Sequence, residues 1–359
     1  MTFDIVNVFP EPVTPKRTLC FAPVFRFFTN LAIACGWSPV GLNEDFNLNI
    51  IIVYLINYLT SLDNFLKKKE HKIRVLPRFV CFGYCIAGQL AHFIKKGGEM
   101  FDSLGVENKI ALVMGVTNKW SIAWGIAQVF SKAGVRLILT AENPKLKKRI
   151  EVLSRSLPFQ PIVIACCDVA RQEEIEALFA EIEERFGGID SLVHCIAFSP
   201  SGALEKSFLE TTESDFLEAM KISAYSLIPL SRKFAEIARP EASIVAITFE
   251  GARRHFSGYG MMGPVKATLE AIVRELATEL GPRGIRVNAV SPAPINTAAA
   301  RGLPGFALMR QRFLERSLLK TKITPKDVGN VVLSLCSDFS NRITGTVIPV
   351  DGGHHIVGT

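Results

Sequence analysis

The stretch KIALVMGVTNKWSIAWGIAQVFSKAGVRLILT, residues 109–140, decides how this chain folds. Its first part, KIALVMG, is an apolar run ending in Gly115, as a buried strand does where it enters a tight turn. SIAWGIAQVFSKAG (121–134) reads as a helix, and Gly134 suits its C-terminus. VRLILT (135–140) is a second strand. Strand, turn, helix and strand in this order open an α/β domain.

The alternation holds to the end of the chain. A helix is predicted around 144–156, a strand at PIVIACCDV (161–169), a helix at 171–186 and a strand at DSLVHCIA (190–197). Helical sequence follows over about 212–238. SIVAIT (243–248), IRVNAVS (285–291) and GTVIPVDGG (345–353) are further strands. Helices are predicted between them, over about 258–280 and from TPKDVGNVVLSLCSD (324–338). The strands are apolar on both faces, as a parallel sheet covered by helices requires. The expected fold for residues 100–359 is therefore α/β: a single Rossmann-type doubly wound parallel sheet of about seven strands, helices on both faces.

Residues 1–99 read differently. They show neither a steady helical period nor a strand alternation, and are expected to form an irregular N-terminal extension. NLNIIIVYLINYL (47–59) is well short of the ~20 apolar residues a membrane span needs. KKKEHK (67–72) reads as a solvated turn or a lipid-surface contact; the turn is favoured, so no membrane partner is expected. KKGGEM (95–100) reads like a translated purine-rich ribosome-binding tract just before a start codon. On that reading Met100 is the natural start, and residues 1–99 are poorly ordered or absent from the native protein. A peptide from residues 1–99 found in the native protein would overturn it.

The 359 residues are 48% hydrophobic and 21% charged, ordinary for a globular protein with a sizeable core. The net charge is +7, but residues 1–99 hold 11 Lys/Arg against 7 Asp/Glu, leaving the α/β part only mildly basic. That gives no case for nucleic acid and allows a weak attraction to an acidic partner. The eight cysteines form no CxxC pair and no zinc-ligand spacing, which points to a reducing compartment, the cytoplasm, with no disulfide and no metal.

The link GVTNKWSIAWG lacks the common G-x-G-x-x-G fingerprint. Gly115 still allows a tight turn, and the following helix start offers free N–H groups to an anion. The Ser121 hydroxyl is a further donor, and Gly125 allows close helix–sheet packing. An ordinary βα loop carries the same residues. After the second strand, TAENPK places Glu142 where an acid binds a ribose 2′-OH, favouring NADH over NADPH. A plain helix-start carboxylate reads alike, and Lys145, Lys147, Lys148 and Arg149 could instead receive a phosphate. Asp168, closing the third strand, falls beside the adenine.

In YGMMGPVK (259–266), Tyr259 and Lys266 are seven residues apart in a segment that reads as a helix. Two turns bring such positions onto nearly one face. They follow the fifth strand, at the sheet edge where ligands bind. A phenol there can hydrogen-bond an oxygen that becomes negative, and the lysine can hold ribose hydroxyls and favour that charge. A surface Tyr and Lys on one helix has the same spacing.

Residues 101–359 resemble the bacterial enoyl-acyl-carrier-protein reductases, a divergent branch of the short-chain dehydrogenase/reductases. The main branch uses Y-x-x-x-K, and here Gly263 stands at the lysine position; the divergent branch uses Y-x6-K, which YGMMGPVK fits. GVTNKWSIAWGIA, CDVA, LVHCIAFSP, SGYGMMGPVKATLEA, GIRVNAVSPAPINT and ITGTVIPVDGG follow the family's order. The resemblance implies NADH as cofactor, contacted by Gly115, Ser121, Ile122, Glu142, Asp168, Val169, Ile196, Ala197, Lys266, Ile295 and Thr297. It implies hydride transfer to a trans-2-enoyl thioester, with Tyr259 stabilising the enolate and Lys266 anchoring the nicotinamide ribose. Phe198, Phe249, Tyr259, Met262 and Phe306 would touch substrate. Leu303, Phe306, Leu308, Met309 and Phe313, in a segment the family keeps mobile, suit an acyl chain or ordinary packing. Arg301, Arg310, Arg312 and Arg316 would meet an acidic acyl carrier protein or solvent. A cytoplasmic homotetramer is implied.

Three departures stand out. Phe249 occupies the place where many relatives have a second tyrosine, although one branch shares the Phe. Ala197 adds a methyl where relatives often have glycine, and is expected to weaken flat diphenyl-ether inhibitors. Asn296 removes a positive charge often found before Thr297. These leave open a paralogue acting on another enoyl thioester or carbonyl, and residues 1–99 leave open a membrane-attached binding or scaffold protein.

Overall fold

The computed structural model describes residues 104–358; the readings of residues 1–99 lie outside the described residues. Seven strands form one parallel sheet in the order β3-β2-β1-β4-β5-β6-β7. They are β1 (Ile110–Met114), β2 (Arg136–Ala141), β3 (Val163–Cys166), β4 (Ile189–His194), β5 (Ala238–Ile247), β6 (Arg286–Pro292) and β7 (Val347–Val350). Each strand feeds one core on either face. Ile110, Leu112 and Met114 of β1 face one cluster, Ala111 and Val113 the other. The continuous apolar runs of the sequence therefore follow from burial on both sides.

The first core is closed by α3 (Gln172–Phe186), α5 (Leu227–Ile237) and α6 (Met262–Leu280); the second by α1 (Ile122–Lys132), α2 (Pro144–Ser154) and α9 (Pro325–Leu335). Helix starts are set locally. Asn143 caps α2 by accepting from Leu146 N at 3.0 Å, and Pro144 follows it. Thr324 and Asp327 form a capping box on α9. Gly125 serves a different contact from the one expected. A Cβ there would collide with Pro325 at the start of α9, so the glycine permits helix–helix rather than helix–sheet packing.

Two helix expectations are corrected. The segment over 212–238 is not one helix: α4 (Glu213–Met220) passes through a π turn (Lys221–Tyr225) into α5. The wide turn presents buried Ser223 to the loop after β4, where its hydroxyl accepts from Phe198 N at 2.8 Å and donates to Phe198 O at 3.1 Å. Helix α6 starts at Met262, not 258, because Gly258 (φ 79°) and Gly260 (φ 47°) adopt left-handed backbone that a right-handed helix cannot continue. Tyr259 thus sits in a turn before α6, not on its face.

Chain order reverses between β1 and β4, so the loops leaving their carboxyl ends diverge and open a crevice. Two short helices, α7 (Ala298–Arg301) and α8 (Phe306–Arg316), follow β6. No described helix is long and apolar enough to cross a membrane.

Candidate active site

A cavity of about 670 Å³ opens over the crevice, lined by the residues that follow β1, β4, β5 and β6. Gly115 leaves β1 at φ 89°, and a Cβ there would collide with the carbonyl of Cys195. Only glycine lets these two loops meet, and it brings the cavity floor to the start of α1. Ser121 caps α1, accepting from Trp124 N at 3.2 Å, and donates its own proton to Asn118 O at 2.8 Å. The hydroxyl expected as a free donor is therefore engaged, and it already satisfies Trp124 N of the first turn.

Of the expected dinucleotide contacts, Gly115, Ser121, Ile122, Ile196, Ala197, Lys266, Ile295 and Thr297 line this cavity. Glu142 and Asp168 line a separate polar depression along β3 with Lys147 and Arg171. Their strands lie on the far side of β1 from β4–β6. Val169 is buried in the core and lines neither. Phe198, Phe249, Tyr259, Met262 and Phe306 all line the cavity. Leu303 and Met309 join them, whereas Leu308 is exposed and Phe313 stacks on His354 with ring centroids 3.7 Å apart. Arg301 lies over the Trp120 ring at 5.5 Å.

The turn carrying Tyr259 is set by neighbours as well as glycines. Phe249 meets the Tyr259 ring edge-on, centroids 4.9 Å apart, and a Cβ on Gly251 would strike that ring. Burial pushes the phenol above its ordinary range, so it stays protonated and can donate. Lys266, buried, donates from Nζ to Ile247 O at 2.8 Å. Burial pulls its ammonium down to about 8, against the opposing pull of Cys195 and Glu270.

Sequence spacing gave no sign of the groups behind this wall. Buried His194 shares a 2.8 Å hydrogen bond with Ser226, just past the π turn. Glu250 holds His354 Nδ1 at 2.8 Å and Arg254 at 3.4 Å, tying the turn after Phe249 to the chain's end. Glu250, Asp351 and His354 come within 4.8 Å of one another although Glu250 lies about a hundred positions before the other two.

A parallel sheet of this order, a glycine turn against β4 and a Tyr–Lys pair in a cavity after β5 define a nucleotide-binding reductase of the short-chain dehydrogenase type. More narrowly, the chain belongs to the enoyl-(acyl carrier protein) reductase family, whose model matches residues 115–355. An enoyl-acyl-carrier-protein reductase (NADH) of Rhizobium meliloti is 40% identical over 260 residues, 72% of this chain and 95% of that protein. The crystal structure of the Bacillus cereus enoyl-acyl carrier protein reductase with NADP+ and an indole naphthyridinone is similar at TM-score 0.69 and 38% identity, covering 71% of this chain and 99% of that one. The Anaplasma phagocytophilum reductase with NAD is similar at TM-score 0.67 and 34% identity, covering 71% and 94%.

Proposed function

We propose that this chain reduces the trans-2 double bond of enoyl thioesters carried on acyl carrier protein, using NADH, the last step of the fatty acid elongation cycle. The observation that carries this is the meeting of Tyr259, Lys266 and the Gly115 turn in one cavity. The Gly115 approach and the α1 start suit a pyrophosphate, so the residues fit the dinucleotide.

Bound NADH supplies a hydride for the β-carbon of the substrate. Electron density then moves to the thioester oxygen, and the Tyr259 hydroxyl donates a hydrogen bond to it. A proton added at the α-carbon completes the saturated chain. Lys266 is placed to leave Ile247 O for the ribose hydroxyls, keeping positive charge beside the developing oxyanion. Met262, Leu303, Phe306 and Met309 offer apolar walls to the acyl chain. Glu142 and Asp168 would serve the adenosine end. The basic residues Arg310, Arg312 and Arg316 on α8 would meet the acidic carrier protein. A cytoplasmic homotetramer completes the proposal.

The test is NADH oxidation by the full chain with a trans-2-enoyl thioester on carrier protein. Turnover that falls about a hundredfold or more in Tyr259→Phe is the expected result. Cofactor binding without turnover on any enoyl thioester would overturn the reading.

A further inference from the structure

Lys266 shares its buried helix face with a carboxylate. Glu270 lies one turn further along α6, and each residue is 4% exposed. The two side chains dock α6 on successive residues at the end of β5. Lys266 Nζ donates to Ile247 O at 2.8 Å, and the Thr248 hydroxyl donates to Glu270 Oε1 at 3.0 Å. Glu270 Oε2 accepts from Arg253 Nε at 3.0 Å. Thr248 itself lines the cavity, so the carboxylate sits just behind its wall.

A buried carboxylate is costly unless paired. Arg253 is a partial partner, since its side chain is 60% exposed and screened by water. The buried ammonium needs an anion for the same reason, and its other neighbours offer none. At the end of β4, burial holds His194 down to about 3 and raises the Cys195 thiol to about 12, so both are neutral near pH 7. Tyr259 is held protonated. Glu205 lines the cavity but is exposed. Two groups oppose the effect of burial on Lys266, Cys195 first and Glu270 second; with the thiol held protonated near pH 7, the carboxylate of Glu270 is the one of the two that carries a negative charge there.

We propose that Glu270 is a positioning residue for Lys266: its carboxylate keeps the ammonium charged in a dry cavity and so sets the pH range over which the protein holds NADH. The role of Lys266 toward NADH rests on the function proposed above; the link between Glu270 and Lys266 does not.

The experiment reads Lys266 directly. Lysine side chains of the full-length protein, isotope-labelled and free of cofactor, are titrated by NMR, with Lys266 assigned by its loss in Lys266→Met. Glu270→Gln keeps the shape and removes the charge: its amide oxygen can still accept from Arg253, and its NH2 can donate to the Thr248 hydroxyl in place of accepting from it; the Lys266 midpoint is expected to fall by roughly one pH unit. The pH at which NADH affinity declines, followed by fluorescence, should fall with it. Glu270→Asp keeps the charge but loosens the bonds to Thr248 and Arg253, and should hold the midpoint nearer its original place. A role in packing alone gives the reverse: Asp damaging, Gln harmless, and no movement of the midpoint, which overturns the proposal. If Glu270→Gln does not fold, Arg253→Gln serves instead. Removing the competing cation should raise the midpoint, and an unmoved midpoint is again fatal. A wild-type protein that titrates as expected but never oxidises NADH with an enoyl thioester would sink the function proposed above and leave the Glu270 link standing.

Discussion

The cavity over the crevice and the polar depression along β3 are built on opposite plans. Past β5, Tyr259 packs edge-on against Phe249 and Lys266 is buried, and burial moves both titratable groups away from their ordinary ranges. Past β2 and β3, Glu142 is exposed and Asp168 is paired with exposed Arg171 at 3.7 Å in a polar depression. Chemistry that develops charge gains from a dry, preorganised wall. Recognition of a hydroxyl needs only a reachable carboxylate and tolerates water. The difference teaches what each region suits: the buried one can stabilise a developing charge, and the wet one can hold a hydroxyl.

Three changes would break or sharpen that contrast. Gly115→Val strikes the turn where the loops after β1 and β4 meet. Left-handed backbone and the collision with Cys195 O should cost roughly 3 kcal/mol or more and remove NADH binding. Thermal unfolding and fluorescence titration read this, and an unaltered protein would show that the turn is not what brings the loops together. Lys266→Met should weaken NADH about tenfold to a hundredfold, the worth of a charged hydrogen bond or two. In the wild type the same loss should set in as pH rises through about 8, because the lowered folded-state value releases the proton there. Affinity that stays flat across that range would deny the buried region its part in binding. Glu142→Gln has the smallest expected effect, a shift of about fivefold or less in the NADH over NADPH affinity ratio, because an exposed charge is screened. A larger shift would mean that the wet region closes when occupied.

Much of this was legible in residues 109–140. Strand, glycine and helix recur along the chain because each strand is buried on both faces and each helix on one, and burial writes its period into the sequence. The ordered motifs and the Y-x6-K spacing placed Tyr259, Lys266, Ala197 and Ile295 in one site, and all of them line one cavity. The periodicity misled at Tyr259, because the apolar residues that follow it are helical while the glycines flanking it forbid a helix. It misled again at 212–238, where a π turn keeps the helical composition and changes what Ser223 faces.

The amino-acid pattern by itself determined the order of strands and helices, the glycine turn at the crevice and the spacing of Tyr259 from Lys266. These depend on local periodicity and on neighbours a few residues apart. Tertiary structure alone decided that Gly125 meets Pro325, that Glu250 holds His354 and that Glu270 stands behind Lys266 on Thr248. Such contacts join residues tens to hundreds of positions apart, and packing, which leaves no period along the chain, is what brings them together.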